Sequence, residues 1–144
     1  MQRLHLHLAV AALEPAVHFY STLFGIQPTV LKKDYAKWRL DDPRVNFAIS
    51  RHGDKPGLDH LGIEVDSREE LEQAYERLSR TRRPILNEGK VTCCYARSEK
   101  AWVTDPAGIA WEAFHTSGEA EEYGQDRNIA DANAVVAGCG CGPA

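Results

Sequence analysis

Leu58-Asp59-His60-Leu61-Gly62-Ile63-Glu64-Val65 restates, at an offset of 55 residues, the opening segment Arg3-Leu4-His5-Leu6-His7-Leu8-Ala9-Val10. At that offset His5 falls on His60, Leu6 on Leu61 and Val10 on Val65. Further along, Tyr20 falls on Tyr75 and Leu23 on Leu78. Both segments alternate apolar and other residues, the period of a strand with two different faces. An offset that holds through a strand and then through a helix marks an internal repeat, because His and Tyr do not match by apolar composition alone.

Outward from the strands, Pro15 suits a helix start and Ala16, Tyr20, Leu23 and Phe24 recur at helical spacing before Gly25 closes the segment. Strand candidates follow at 29–32, 36–40 and 45–50, with a turn at Asp41-Asp42-Pro43. In the second half Ser67 and Glu70 form a capping box ahead of a helix with Leu71, Ala74, Tyr75 and Leu78 on one stripe, and Pro84 ends it. Strands are expected at 85–87, 92–96, 101–104 and 109–114, with Asp105-Pro106-Ala107-Gly108 as the last turn. This pattern predicts an α+β fold of two βαβββ modules, about 1–52 and 57–116, whose curved mixed sheet surrounds a metal site. Residues 117–144 turn to Gly, Ala and acidic residues, end in Gly138-Cys139-Gly140-Cys141-Gly142, and read as a mobile tail.

The chain has 144 residues, enough for one compact domain, and a formal net charge of −4 with charges of both signs dispersed. No basic stripe suits nucleic acid, and no apolar run or leader suits a membrane, so a cytoplasmic protein with a small-molecule partner is expected; a homodimer is allowed. In that compartment the four cysteines read as thiols, ligands or redox groups.

Side by side, two such modules face their first and last strands onto one concave surface. His5 and His60 come from the first strands, and Glu112 alternates with Trp111 and Ala113 on the last. Two imidazoles and a carboxylate suit Fe(II), with Mn(II), Ni(II), Co(II) or Zn(II) as alternatives, and leave positions open for substrate or oxygen. His7 shares a face with His5 and competes for the first place, but the repeat sets Gly62 opposite it, which favours His5. The remaining symmetric position falls near Ala48 or Ile49, neither of which can ligate. His18, His52 and His115 have no counterpart and read as surface or packing residues.

The stretches His5 to Tyr20, Asp59 to Val65 and Asp105 to Glu112 resemble the vicinal oxygen chelate superfamily, which includes glyoxalase I and the extradiol dioxygenases. Within it, Asp34-Tyr35-Ala36-Lys37-Trp38, Thr92-Cys93-Cys94-Tyr95-Ala96 and Lys100 to Pro106 resemble the ArsI/CadI-type carbon–arsenic lyases. That resemblance implies an enzyme in which Cys93 and Cys94 hold the trivalent arsenic of an organoarsenical. His5, His60 and Glu112 would hold Fe(II) for dioxygen-dependent cleavage to arsenite, and Tyr95, Tyr35 and Trp38 would line the pocket. The group carries Gln or His at the first ligand, and here it is His.

Adjacent residues of a strand point to opposite faces, so a joint grip by Cys93 and Cys94 requires irregular backbone. A mobile loop approached through Glu88-Gly89-Lys90 is expected, with Lys90, Arg97 and Lys100 favouring thiolate. The rival readings are a cadmium- or arsenite-binding resistance protein without turnover, and a glyoxalase or thiol transferase on the same fold.

Overall fold

The computed structural model describes residues 1–124, so Cys139 and Cys141 and most of the expected tail lie outside the described residues. The chain packs as two compact units, Gln2–Gly62 and the residues from Ile63 onward together with Met1. The first unit holds β1 (Arg3–Ala9), α1 (Leu13–Phe24), β2 (Val30–Leu31), β3 (Tyr35–Asp41) and β4 (Arg44–Ser50). Strand β5 (Gly57–Val65) carries the chain into the second unit, which continues with α2 (Arg68–Arg80), β6 (Ile85–Cys93), β7 (Ala96–Thr104) and β8 (Ala110–Glu119). The order β-α-β-β-β is thus written twice, as the repeat implied.

In the first unit the strands lie in the order β2-β3-β4-β1. The β3–β4 pairing is antiparallel, and β1 joins β4 in parallel with His5 opposite Asn46 and His7 opposite Ala48. Alternation along β1 sends Leu6 and Leu8 to a core of Ala36, Trp38, Phe47 and Ile49 beneath α1, and sends His5 and His7 to the other face. Helix α1 meets that core through Leu13, Ala16, Val17, Tyr20 and Phe24. Leu23, expected on the stripe, is 63% exposed, because one position before Phe24 turns it by about 100° to the outer side. Gly25 ends the helix at φ 69°, a left-handed cap that glycine adopts without a Cβ penalty.

The second unit orders its later strands β8-β7-β6, all antiparallel. Its core is Val65, Leu71, Ala74 and Ala113, with Ile63, Tyr75 and Leu78 packed around it. The capping box forms with one change of partner: Ser67 Oγ accepts from Glu70 N at 3.1 Å, while Glu70 Oε2 accepts from Asp66 N at 2.9 Å. Tyr20 and Tyr75, matched by the repeat, each pack in their own core, and burial pushes the Tyr75 phenol up to about 12.

Two expectations fail here. The separate strands at 85–87 and 92–96 are one strand interrupted by a bulge between Asn87 and Gly89, with Glu88-Gly89-Lys90 inside it. The sequence from Ser117, expected as tail, continues β8 to Glu119.

Candidate functional site

His5, His7 and His60 come together in the first unit, with one ligand atom from each lying within 4.8 Å of the others. All three are buried, at 5, 2 and 3% exposure. For neutral rings, the surroundings set which nitrogen carries the proton. His5 Nδ1 is 3.0 Å from the Asn46 carbonyl, which can only accept, so Nδ1 donates and the lone pair is on Nε2. His60 Nδ1 is 2.7 Å from the Asp59 carboxylate, with the same result. Ser50 Oγ donates to the His52 carbonyl at 3.2 Å and so accepts from His7 Nε2 at 2.8 Å, leaving the His7 lone pair on Nδ1.

The outcome is a pair of buried imidazoles whose Nε2 atoms face each other at 3.2 Å. Two lone pairs at that separation repel unless a proton or a cation lies between them, and a shared metal cation turns the repulsion into attraction. Metal–imidazole bonds of about 2.0–2.1 Å put neighbouring nitrogens of a tetrahedral or octahedral sphere about 2.9–3.4 Å apart, so the spacing fits adjacent ligands of one ion. Orientation of a ligating ring through its other nitrogen, by a carboxylate or carbonyl, is the usual support of such a site. The donor chemistry and the spacing therefore fit a divalent metal. Asp59, Asn46 and Ser50, which do the orienting, carry no pattern that sequence reading detected. His7 belongs to the group that the repeat had argued it out of.

Glu112 lies in the second unit on β8, 4% exposed, opposite Trp102 in the register. Its Oε2 is 2.9 Å from Lys100 Nζ, and Lys100 is itself 4% exposed, lying 5.4 Å from the Trp102 ring centre and 5.9 Å from that of Phe114. The carboxylate is thus held by a buried ion pair. Lys100 serves Glu112, and Arg97 donates to the Glu119 carbonyl at 3.3 Å, so two of the three cations expected to act on the thiols have other partners.

The cysteines do not sit on the expected mobile loop. They form the tip of the β6–β7 hairpin, where Cys93 pairs with Ala96 across a two-residue turn of Cys94 and Tyr95. Both turn residues have positive φ, 55° and 59°, the requirement of a type I′ turn that Asn-Gly ordinarily meets. A non-glycine residue in this region costs about 1–2 kcal/mol. The turn cancels strand alternation, and the two Sγ atoms approach to 2.9 Å. Cys93 is 2% exposed and Tyr95 9%.

Of the remaining expected site residues, Tyr35 is buried beside the histidines, its ring centre 6.1 Å from that of His7. Trp38, expected to line the pocket, belongs to the core. It is 0% exposed, packs against Tyr20, Phe24 and Phe47, and donates to the Ile26 carbonyl at 3.2 Å, on the face of the strands away from His5 and His7. A cleft of about 1180 Å³ beside α1, bordered by Lys32, Lys33 and Arg51, contains none of the expected site residues.

Comparison with known proteins bears on these features. The "Trivalent organoarsenical cleaving enzyme" of Bacillus sp. (strain MD1) is 40% identical over 127 residues, 85% of this chain and 78% of that protein. The "Probable trivalent organoarsenical cleaving enzyme" of Bacillus subtilis (strain 168) is 37% identical over 128 residues, 88% of each chain. "Cadmium-induced protein CadI" of Mycobacterium tuberculosis is 35% identical over 125 residues, 86% of this chain and 82% of that one.

Among solved structures, a Mn(II)-bound glyoxalase from Novosphingobium aromaticivorans superposes with TM-score 0.59 at 16% identity, over 89% of this chain and 44% of that one. Homoprotocatechuate 2,3-dioxygenase from Arthrobacter globiformis superposes at 0.60 and 17%, over 84% and 38%. These two likenesses establish the fold. The model of the Glyoxalase/Bleomycin resistance protein/Dioxygenase superfamily matches residues 2–113, and the chain belongs to that superfamily.

Proposed function

We propose that this chain is an Fe(II)-dependent, dioxygen-using carbon–arsenic lyase that strips the organic group from a trivalent organoarsenical and leaves arsenite. The observation that carries the reading is the Cys93–Cys94 turn, with two thiol sulfurs 2.9 Å apart on backbone that strand geometry alone would not produce. A single soft, trivalent centre is the ligand such a pair suits, since thiolates prefer soft acceptors. Binding is a balanced exchange in which an organoarsenic dihydroxide forms two As–S bonds, the two As–O bonds break, and the thiol protons leave with the hydroxyls as two waters.

His5, His7 and His60 are the imidazole donors for the metal, and Glu112 is proposed as its carboxylate donor on the sequence reading alone. When bound, the metal supplies an open position at which dioxygen is activated. The Asp59 carboxylate and the Asn46 carbonyl accept from Nδ1 of His60 and His5, which directs Nε2 of each ring toward the metal position, and burial keeps bulk water from the rings. Tyr35 and Tyr95 are the aromatic neighbours offered to the organic group. The strength of the relatives named as organoarsenical-cleaving enzymes, 37–40% identical over most of the chain, supports the same reaction.

The same thiols would also take up a thiophilic cation without turnover. Arsenic speciation separates the two. Protein loaded anaerobically with Fe(II) and then exposed to air with excess methylarsenite releases arsenite over many turnovers if it is a lyase; one bound equivalent with no arsenite would leave only sequestration.

A further inference from the structure

Beyond β8 the chain does not leave the cysteine turn. Ala120 N donates to the Tyr95 carbonyl at 2.8 Å, and Gly124 forms an isolated antiparallel bridge with Cys93 on the outer edge of β6. Residues 120–124 therefore cross the tip of the hairpin from the β7 side to the β6 side. Between the two anchors, the Tyr123 ring meets Tyr95 edge to face, with centres 5.6 Å apart, and the Cys94 thiol donates to the Tyr123 hydroxyl at 3.4 Å.

Gly124 has no room to be anything else. A Cβ there would lie 2.0 Å from the Thr92 carbonyl oxygen, and its φ of +76° disfavours other residues as well.

We infer that Ala120–Gly124 is a strap that holds the Cys93–Cys94 turn in its two-sulfur geometry, and that Tyr123 is a positioning residue for Cys94. The inference rests on the reading that this pair grips trivalent arsenic. Three observations converge on it. The turn adopts backbone that neither Cys94 nor Tyr95 favours, so contacts from outside the hairpin add to what the β6–β7 pairing does to hold it. The strap contacts both turn residues and the strand residue before them. The hydroxyl at Cys94 also suits both states of the sulfur, because a phenol accepts from a thiol and donates to a thiolate or to an arsenic-bound sulfur.

The test uses the full chain, phenylarsine oxide as the trivalent probe, and the pH profile of iodoacetamide alkylation. Tyr123→Phe keeps the ring and removes the hydroxyl. It should weaken phenylarsine oxide binding about fivefold, the weight of one hydrogen bond, and move the alkylation midpoint to higher pH. Gly124→Ala should displace the strap and weaken binding further. Adding Tyr123→Phe to it should then cost nothing more, the non-additivity of residues that act together.

A Tyr123→Phe variant with unchanged affinity and unchanged alkylation midpoint would overturn the proposal, as would full additivity in the double variant. Should the parent protein fail to bind phenylarsine oxide, the arsenic reading fails; the alkylation profile still decides the strap.

Discussion

His60 shows how a single residue acquires a role. Its Nδ1 is committed to Asp59 and its Nε2 is turned to His5 at 3.2 Å, so a metal site needs the orienting carboxylate as well as the ring. Replacing Asp59 by Asn should lower metal affinity by about 10–100-fold without unfolding the chain, as metal titration against a competing chelator would show. His5→Ala, His7→Ala and His60→Ala should each lose more than that. Glu112→Gln decides the carboxylate: a fall in affinity comparable to the histidine variants makes it a ligand, and unchanged affinity makes it the partner of Lys100 alone. The convergence of His5 and His60 was legible in the sequence because the repeat aligned them. That His7 converges with both, and does not merely compete with His5, was not legible, because symmetry between modules governs their backbones and not which side chains converge.

At the level of the element, Trp38 separates core from site. Buried on the α1 face, it should cost about 3–5 kcal/mol of stability as Trp38→Ala, measured by denaturant unfolding, whereas Trp38→Phe should leave metal affinity unchanged. Its aromatic character suggested a pocket wall to the sequence, and only the alternation of β3 relative to the histidine face of β1 shows otherwise.

Gly25 offers a cleaner case. Its Cβ would meet nothing within 4 Å, so Gly25→Ala should cost about 1 kcal/mol through backbone conformation alone.

The last turn predicts a pH effect. Asp105 accepts from the Ile109 and Ala107 amides and from the Trp111 indole, with the bond from Ile109 the largest cause holding its carboxyl below the ordinary 3.8. A lowered folded pKa means stability that is complete above the ordinary value and lost as pH falls through the lower one. Acid unfolding should therefore have a component below about pH 4 that Asp105→Asn abolishes.

The molecule as a whole was legible where the physics is periodic. The doubled βαβββ order, both helices and the capping box at Ser67 follow from spacing and termination signals that the sequence states directly. What it concealed depends on contacts between distant residues. The bulged continuity of β6, the crossing of Ala120–Gly124 over the hairpin and the positive φ of Cys94 and Tyr95 have no local signature. A pair reading Cys-Tyr where Asn-Gly belongs gives no turn signal at all. Among the described residues no helix is long and apolar enough to cross a membrane.

The proposed reaction assigns arsenic to a soft thiol pair and dioxygen to a harder, imidazole-bound metal. The most direct test follows dissolved oxygen and arsenic speciation together, with Fe(II)-loaded protein and methylarsenite in excess. Sustained arsenite release should rise in proportion to oxygen consumed, and both should be lost in Cys93→Ser/Cys94→Ser and in His60→Ala. Arsenite release that proceeds equally without oxygen, or that survives loss of both thiols, would contradict the dioxygen-dependent, thiol-bound reaction.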